Sequence, residues 1–97
     1  MAALLDDEAI RAALEKLDGW ARAGDALTKT FSFRDFAEAM EFVNRAAEEA
    51  EAADHHPDMD IRYNKVSMTL STHSAAGLTA KDTHLAERLN ASAKPNL

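Results

Sequence analysis

The chain contains no cysteine. That excludes disulfide frameworks, thiolate catalysis and cysteine-based zinc sites together. It is also short of positive charge: 11 lysines and arginines stand against 17 acids, a net charge of −6. An acidic chain has no electrostatic footprint for DNA or RNA, so direct nucleic-acid binding is not expected. No apolar run is long enough to span a bilayer, and MAALLDDEAI at the start has no basic n-region. The expectation is a cytoplasmic protein with no membrane association. Repeats and low-complexity tracts are absent as well.

What is present is an ordinary globular mixture, 46% apolar and 29% charged. The 97 residues suffice for a single domain, 1–97. A domain of this size buries roughly 60–65% of the surface its unfolded chain exposes, so its core is modest and self-association would help it.

Ile10, Leu14 and Leu17 recur at helical spacing with Ala13 on the same face. Acids lead the segment and Gly19 closes it, which predicts a first helix over 7–17. Gly24-Asp25 is a turn signal, and residues 27–33 alternate apolar and polar as a strand does. Trp20 and its neighbours form the partner strand of that hairpin. Phe36, Met40, Val43, Ala47 and Ala50 make an apolar stripe, which predicts a second helix over 34–52. Pro57 cannot continue it, so His55 and His56 fall on a connector just beyond. Met59, Ile61 and Tyr63 alternate in one strand; Val66, Met68 and Leu70 alternate in the next, with Asn64-Lys65 as the turn. Ser67, Thr69, Ser71 and His73 take the opposite, polar face, with His73 at the strand's far end. Thr79-Ala80-Lys81-Asp82 is a capping box, and Leu85, Ala86 and Leu89 give a third helix over 80–92. The last residues, Ala-Lys-Pro-Asn-Leu, read as a frayed tail. The order α-β-β-α-β-β-α predicts an α+β fold: a four-stranded antiparallel sheet with three helices on one face.

The stretch EAADHHP at 51–57 holds two of the four histidines between carboxylates and a proline. With the connector near the end of the last strand, His55, His56 and His73 would line one cleft, and Asp82 would stand close by. Imidazole titrates nearest neutrality, and adjacent carboxylates fix its orientation, which suits proton donation and abstraction. The plain alternative is a pair of solvated loop histidines. A zinc site is another, although adjacent histidines point apart and no HxH or HxxxH spacing occurs. His84, alone on the third helix, has no chemical company. Glu48, Glu49 and Glu51 read as a solvated helix face. Trp20 and Phe36 read as core, and Met59 and Met68 as strand packing.

Glu51, three residues, His55-His56-Pro57, five residues, Tyr63, nine residues, His73 and then Asp82 make one spaced pattern. With DGW at 18–20, FSFRDFAEAMEFV at 31–43, YNKVSMTLSTH at 63–73 and GLTAKD at 77–82, the chain resembles the pterin-4a-carbinolamine dehydratases over nearly its whole length. The resemblance implies the same four-stranded, three-helix fold. It implies a hydro-lyase that removes water from 4a-hydroxytetrahydrobiopterin to give quinonoid dihydropterin, with no metal or organic cofactor. The reaction recycles the pterin of aromatic amino-acid hydroxylases, a functional link of the same kind. It implies His55 and His73 as acid-base residues and His56 as a holder and polariser of the pterin. Asp54, Glu51 and Asp82 would orient the imidazoles or contact the ring. Lys81 stands where some members carry arginine; it keeps the charge but lacks the planar fork.

The resemblance also implies self-association as a homodimer or homotetramer. An exposed edge such as 26–33 or 66–72 is the surface expected to serve. Two alternatives accompany the enzyme: a protein-binding regulator of the same fold, acting as a dimerisation cofactor or coactivator, and a dehydratase acting on another pterin.

Overall fold

The computed structural model describes residues 3–93. Its elements are α1 (Asp7–Leu14), β1 (Ala21–Ala23), β2 (Ala26–Ser32), α2 (Phe36–Ala53), β3 (Asp58–Arg62), β4 (Lys65–Leu70), a short 3₁₀ turn (His73–Ala75) and α3 (Ala80–Ala93). The strands form one antiparallel sheet in the order β1-β2-β4-β3. This is the α+β arrangement expected from the sequence. The tail at 94–97 lies outside the described residues.

The central strands are the apolar ones. Leu27 and Phe31 of β2, and Val66, Met68 and Leu70 of β4, turn one face of the sheet into the core. The helices supply Ile10, Phe42, Leu85 and Leu89 to the same cluster. Trp20 is buried just before β1, its indole N–H donating to Asn90 Oδ1 at 2.9 Å. Met68 is fully buried and Met59 packs against the cluster, as expected. The opposite face, with Thr28, Thr30, Ser67 and Thr69, has no helix over it among the described residues. Thr30 and Ser67 pair their hydroxyls across it at 2.8 Å.

Several expectations need correction. Helix α1 stops at Leu14 rather than 17, because the chain tightens into i→i+3 turns from Ala13 to Leu17. Gly19 then takes φ +81°, a conformation open to glycine and costly to other residues. The buried stripe of α2 is Ala39, Phe42, Ala46 and Ala50, not Phe36, Met40, Val43 and Ala47. Both stripes have helical period, but Phe42 lies 4.7 Å from the Phe31 ring and 5.0 Å from Phe33, and that contact sets the helix rotation. Phe36 is consequently exposed, at 49%, and is not core.

The β3–β4 turn is Tyr63-Asn64, one residue earlier than expected, since Arg62 pairs with Lys65. Strands β2 and β4 are not edges; the edges are β1 and β3, because β3 lies outside β4 instead of between it and β2. Strand β4 ends at Leu70, so His73 does not sit on a strand face. It opens the 3₁₀ turn instead.

A charged tie joins α2 to α3. Glu49 accepts two hydrogen bonds from Arg88, at 2.9 and 3.0 Å, so Glu49 belongs to an ion pair rather than to a free solvated face. The Arg88 hydrogen bond holds the Glu49 carboxyl below its ordinary value. A lowered carboxylate contributes stability above its ordinary titration range and loses it as pH falls through the lowered value. The melting-temperature gap between wild type and Arg88→Gln should therefore be small, present at neutral pH, and shrink in acid. An equal gap at all pH values would contradict the assignment.

Candidate active site

Three chain segments converge at one end of the sheet. The first is the C-terminus of α2. Asp54 takes left-handed angles, φ 49° and ψ 43°, and its N–H donates to the Glu51 carbonyl while that of His55 donates to Ala50. These paired bonds form a Schellman stop, with aspartate where glycine is usual. The turn aims His55 and His56 away from the helix axis, and Pro57 leads the chain into β3.

The second segment follows β4. Thr72 and Gly77 pair in an isolated bridge, closing a small loop that carries His73 and Ser74. The third is the start of α3. Thr79 precedes the helix and Asp82 lies in its first turn. The expected capping box is formed: Thr79 N–H donates to Asp82 Oδ2 at 2.9 Å, and Lys81 N–H donates to Thr79 Oγ1 at 3.2 Å.

Between these segments lies an open cavity of about 290 Å³. His55, His56 and His73 line it together with Asp54 and Lys81. Ser71, Thr72 and Ser74 complete the wall. The volume is near the lower end for small-ligand sites, and an open mouth lets a larger flat molecule project into solvent.

The imidazoles are held differently. His55 Nε2 lies 2.6 Å from Asp82 Oδ1, and the two side chains are 10% and 0% exposed. Asp82 also accepts from Thr72 Oγ1 at 2.7 Å. His56 is more exposed, and its Nε2 is paired with Glu51. Among the described residues the His73 ring has no hydrogen-bond partner, and neither does His55 Nδ1. No buried side-chain nitrogen or oxygen among them lacks a partner, so His55 Nδ1 has access to solvent. The cavity therefore presents one anchored imidazole and one unanchored one, in addition to His56.

Of the residues singled out in the sequence, five line the cavity. Asp82 lies beneath it as the anchor of His55, and Glu51 stands behind His56 without lining the wall. His84 is elsewhere, facing cavities beside α1 and α2. Among the described residues no set of three His, Asp or Glu side chains is placed to hold a metal ion. Thr72 and Thr79 were missed as site residues. Thr72 continues the inward parity of Val66, Met68 and Leu70, and that alternation was the available signal.

Fold and cavity together define a small α+β protein with an open, histidine-lined cleft at one end of its sheet. The chain belongs to the pterin carbinolamine dehydratase family: the family model "Pterin 4 alpha carbinolamine dehydratase" matches residues 3–92. A relative from Thermomicrobium roseum that bears this family's name is 54% identical over 87 residues, 90% of this chain and 94% of its own. Another from Trichormus variabilis is 50% identical over 90 residues, covering 93% and 97%. A Brucella melitensis protein solved as a transcriptional coactivator/pterin dehydratase superposes with a TM-score of 0.91. It is 40% identical and covers 95% of this chain and 100% of its own. A pterin dehydratase-like protein described as a RuBisCO assembly factor in the alpha-carboxysome has a TM-score of 0.69 at 25% identity, covering 80% and 93%. No described helix is long and apolar enough to cross a membrane.

Proposed function

We propose that the protein is a hydro-lyase that dehydrates 4a-hydroxytetrahydrobiopterin to quinonoid dihydropterin by histidine acid-base catalysis. The observation that carries this reading is the convergence of His55, His56 and His73 on one cavity, with His55 anchored on buried Asp82. In the reaction the C4a hydroxyl takes a proton and leaves as water. The N5 proton goes to a base, and the electrons of the N5–H bond form the N5=C4a double bond. One proton is given and one taken, so no redox partner is needed. The unpartnered His55 Nδ1 and the unpartnered His73 ring belong to two residues that line one cavity, which matches those two transfers. His55 and His73 are assigned to them, and His56 to holding the pterin. Asp54 and Lys81 offer opposite charges to the polar edge of the ring. The recycled pterin would serve an aromatic amino-acid hydroxylase in the cytoplasm.

A stable dihydropterin titrated into the protein tests the substrate class. The ring resonances of His55, His56 and His73 should shift, and those of His84 should not. Shifts absent from all three cavity histidines would sink the reading.

Asp54 offers a second test. Asp54→Gly should raise stability by up to about 1 kcal/mol, because glycine adopts the left-handed angle without steric cost. The same change should raise KM by removing a carboxylate from the cavity. A fall in melting temperature, or an unchanged KM, would count against this role.

A second reading has support of its own. The names of the two solved neighbours include a coactivator and an assembly factor. The sheet face bearing Thr28, Thr30, Ser67 and Thr69 is uncovered, and the edges β1 and β3 are unpaired in a single chain. That surface would serve a protein partner or a second copy in a homodimer or homotetramer. A chain acting only in this way would keep its biological role after loss of His55 and His73.

A further inference from the structure

Beneath the cavity runs a chain of polar groups that none of the acid-base roles above uses. Thr72 and Thr79 are 3% and 0% exposed, their hydroxyl oxygens are 2.8 Å apart, and Thr72 Oγ1 is 2.7 Å from Asp82 Oδ2. A carboxylate only accepts, so the direction of every bond follows from it. The Thr72 hydroxyl proton goes to Asp82. The Thr72 oxygen must then accept from the Thr79 hydroxyl, whose oxygen in turn accepts from Lys81 N–H. Thr79 N–H adds a second bond to Asp82 Oδ2, leaving Oδ1 to His55 Nε2.

From this network we infer that Thr72 and Thr79 are positioning residues for the dehydration, fixing His55 through Asp82 as the tautomer with its proton on Nε2 and its lone pair on Nδ1. The inference rests on the dehydratase reading for its catalytic meaning. Its physical basis is separate: a hydroxyl chain with one permitted direction orients the carboxylate, and the oriented carboxylate selects one tautomer. Protonation at Nδ1 then leaves the Nε2–Asp82 bond in place, so His55 can take up and release a proton without moving its ring. Which nitrogen of His55 faces the pterin is thereby decided two residues away from the ring itself.

The test uses the whole chain and two readouts. Long-range proton–nitrogen NMR of the wild type, at a pH where His55 is neutral, should show its proton on Nε2 only. Thr72→Val keeps the shape and removes the hydroxyl. It should give a mixture of His55 tautomers and lower kcat about tenfold, the worth of one hydrogen bond, with KM little changed. Thr72→Ser should restore both. A wild-type His55 protonated on Nδ1 overturns the inference, as does a folded Thr72→Val with wild-type kcat and tautomer. Should Thr72→Val not fold, the wild-type tautomer and the Thr72→Ser kinetics still decide. The tautomer needs no substrate, so a failure of the dehydratase reading would show as absent turnover with the Nε2 signature intact.

Discussion

His73→Ala should lower kcat by roughly 10²–10⁴-fold, the range spanned by a positioned general acid or base, and leave the fold untouched. The second half of that expectation comes from the structure. His73 is exposed on a short 3₁₀ turn and its ring bonds to nothing among the described residues, so its loss strands no group. Surface changes of this kind stay within about 0.5 kcal/mol. His55→Ala should lower kcat over the same range, but it also removes a donor from buried Asp82, so its melting temperature should fall. His56→Ala should cost less turnover, its ring being exposed and tied to Glu51. The double variant His55→Ala/His73→Ala should be little worse than the poorer single one, since the two rings serve one proton circuit. Turnover by absorbance and folding by circular dichroism separate these effects. A His73→Ala enzyme with wild-type kcat would remove it from the reaction.

The second large effect concerns stability. Asp82→Ala should destabilise the protein by at least about 3 kcal/mol, as three donors lose their acceptor and each stranded group costs roughly 1–3 kcal/mol. The donors are the Thr72 hydroxyl, Thr79 N–H and His55 Nε2. Asp82→Asn should recover part of the loss: its amide oxygen can accept from the Thr72 hydroxyl and Thr79 N–H, while its NH2 forces His55 to present an Nε2 lone pair, the tautomer opposite to the wild-type one. In a His55→Ala background the cost of Asp82→Ala should shrink by about 0.5–3 kcal/mol, the usual coupling between groups in contact. Urea unfolding of the four proteins gives the cycle. A loss below about 1 kcal/mol for Asp82→Ala would mean that the network contributes little.

Much of this was legible in the sequence where the cause was local. The capping box at Thr79–Asp82 needs only neighbouring residues, and α3 came out as expected. The stop before His55 was readable from Pro57, although the left-handed Asp54 that makes the turn was not. Non-local causes stayed hidden. The rotation of α2 depends on Phe31 and Phe33, which lie on other elements, so the stripe through Phe36 and Ala47 looked as good as the buried one through Phe42. Strand order depends on how α2 crosses the sheet, so the central strands were mistaken for edges. The candidate residues His55, His56 and His73 were singled out through their spacing and its family resemblance, whereas their separate environments belong to the tertiary structure. Thr72 went unnamed although the alternation along β4 reaches it, and the strand's end at Leu70 detached His73 from the polar face expected for it.

The most direct measurement is the rate of 4a-hydroxytetrahydropterin dehydration by the wild-type protein in chelator-treated buffer, followed by absorbance beside the spontaneous reaction. Histidine acid-base catalysis predicts a clear acceleration that exhaustive chelation leaves unchanged. A rate equal to the spontaneous one, or one abolished by chelation and restored by added zinc, would contradict it.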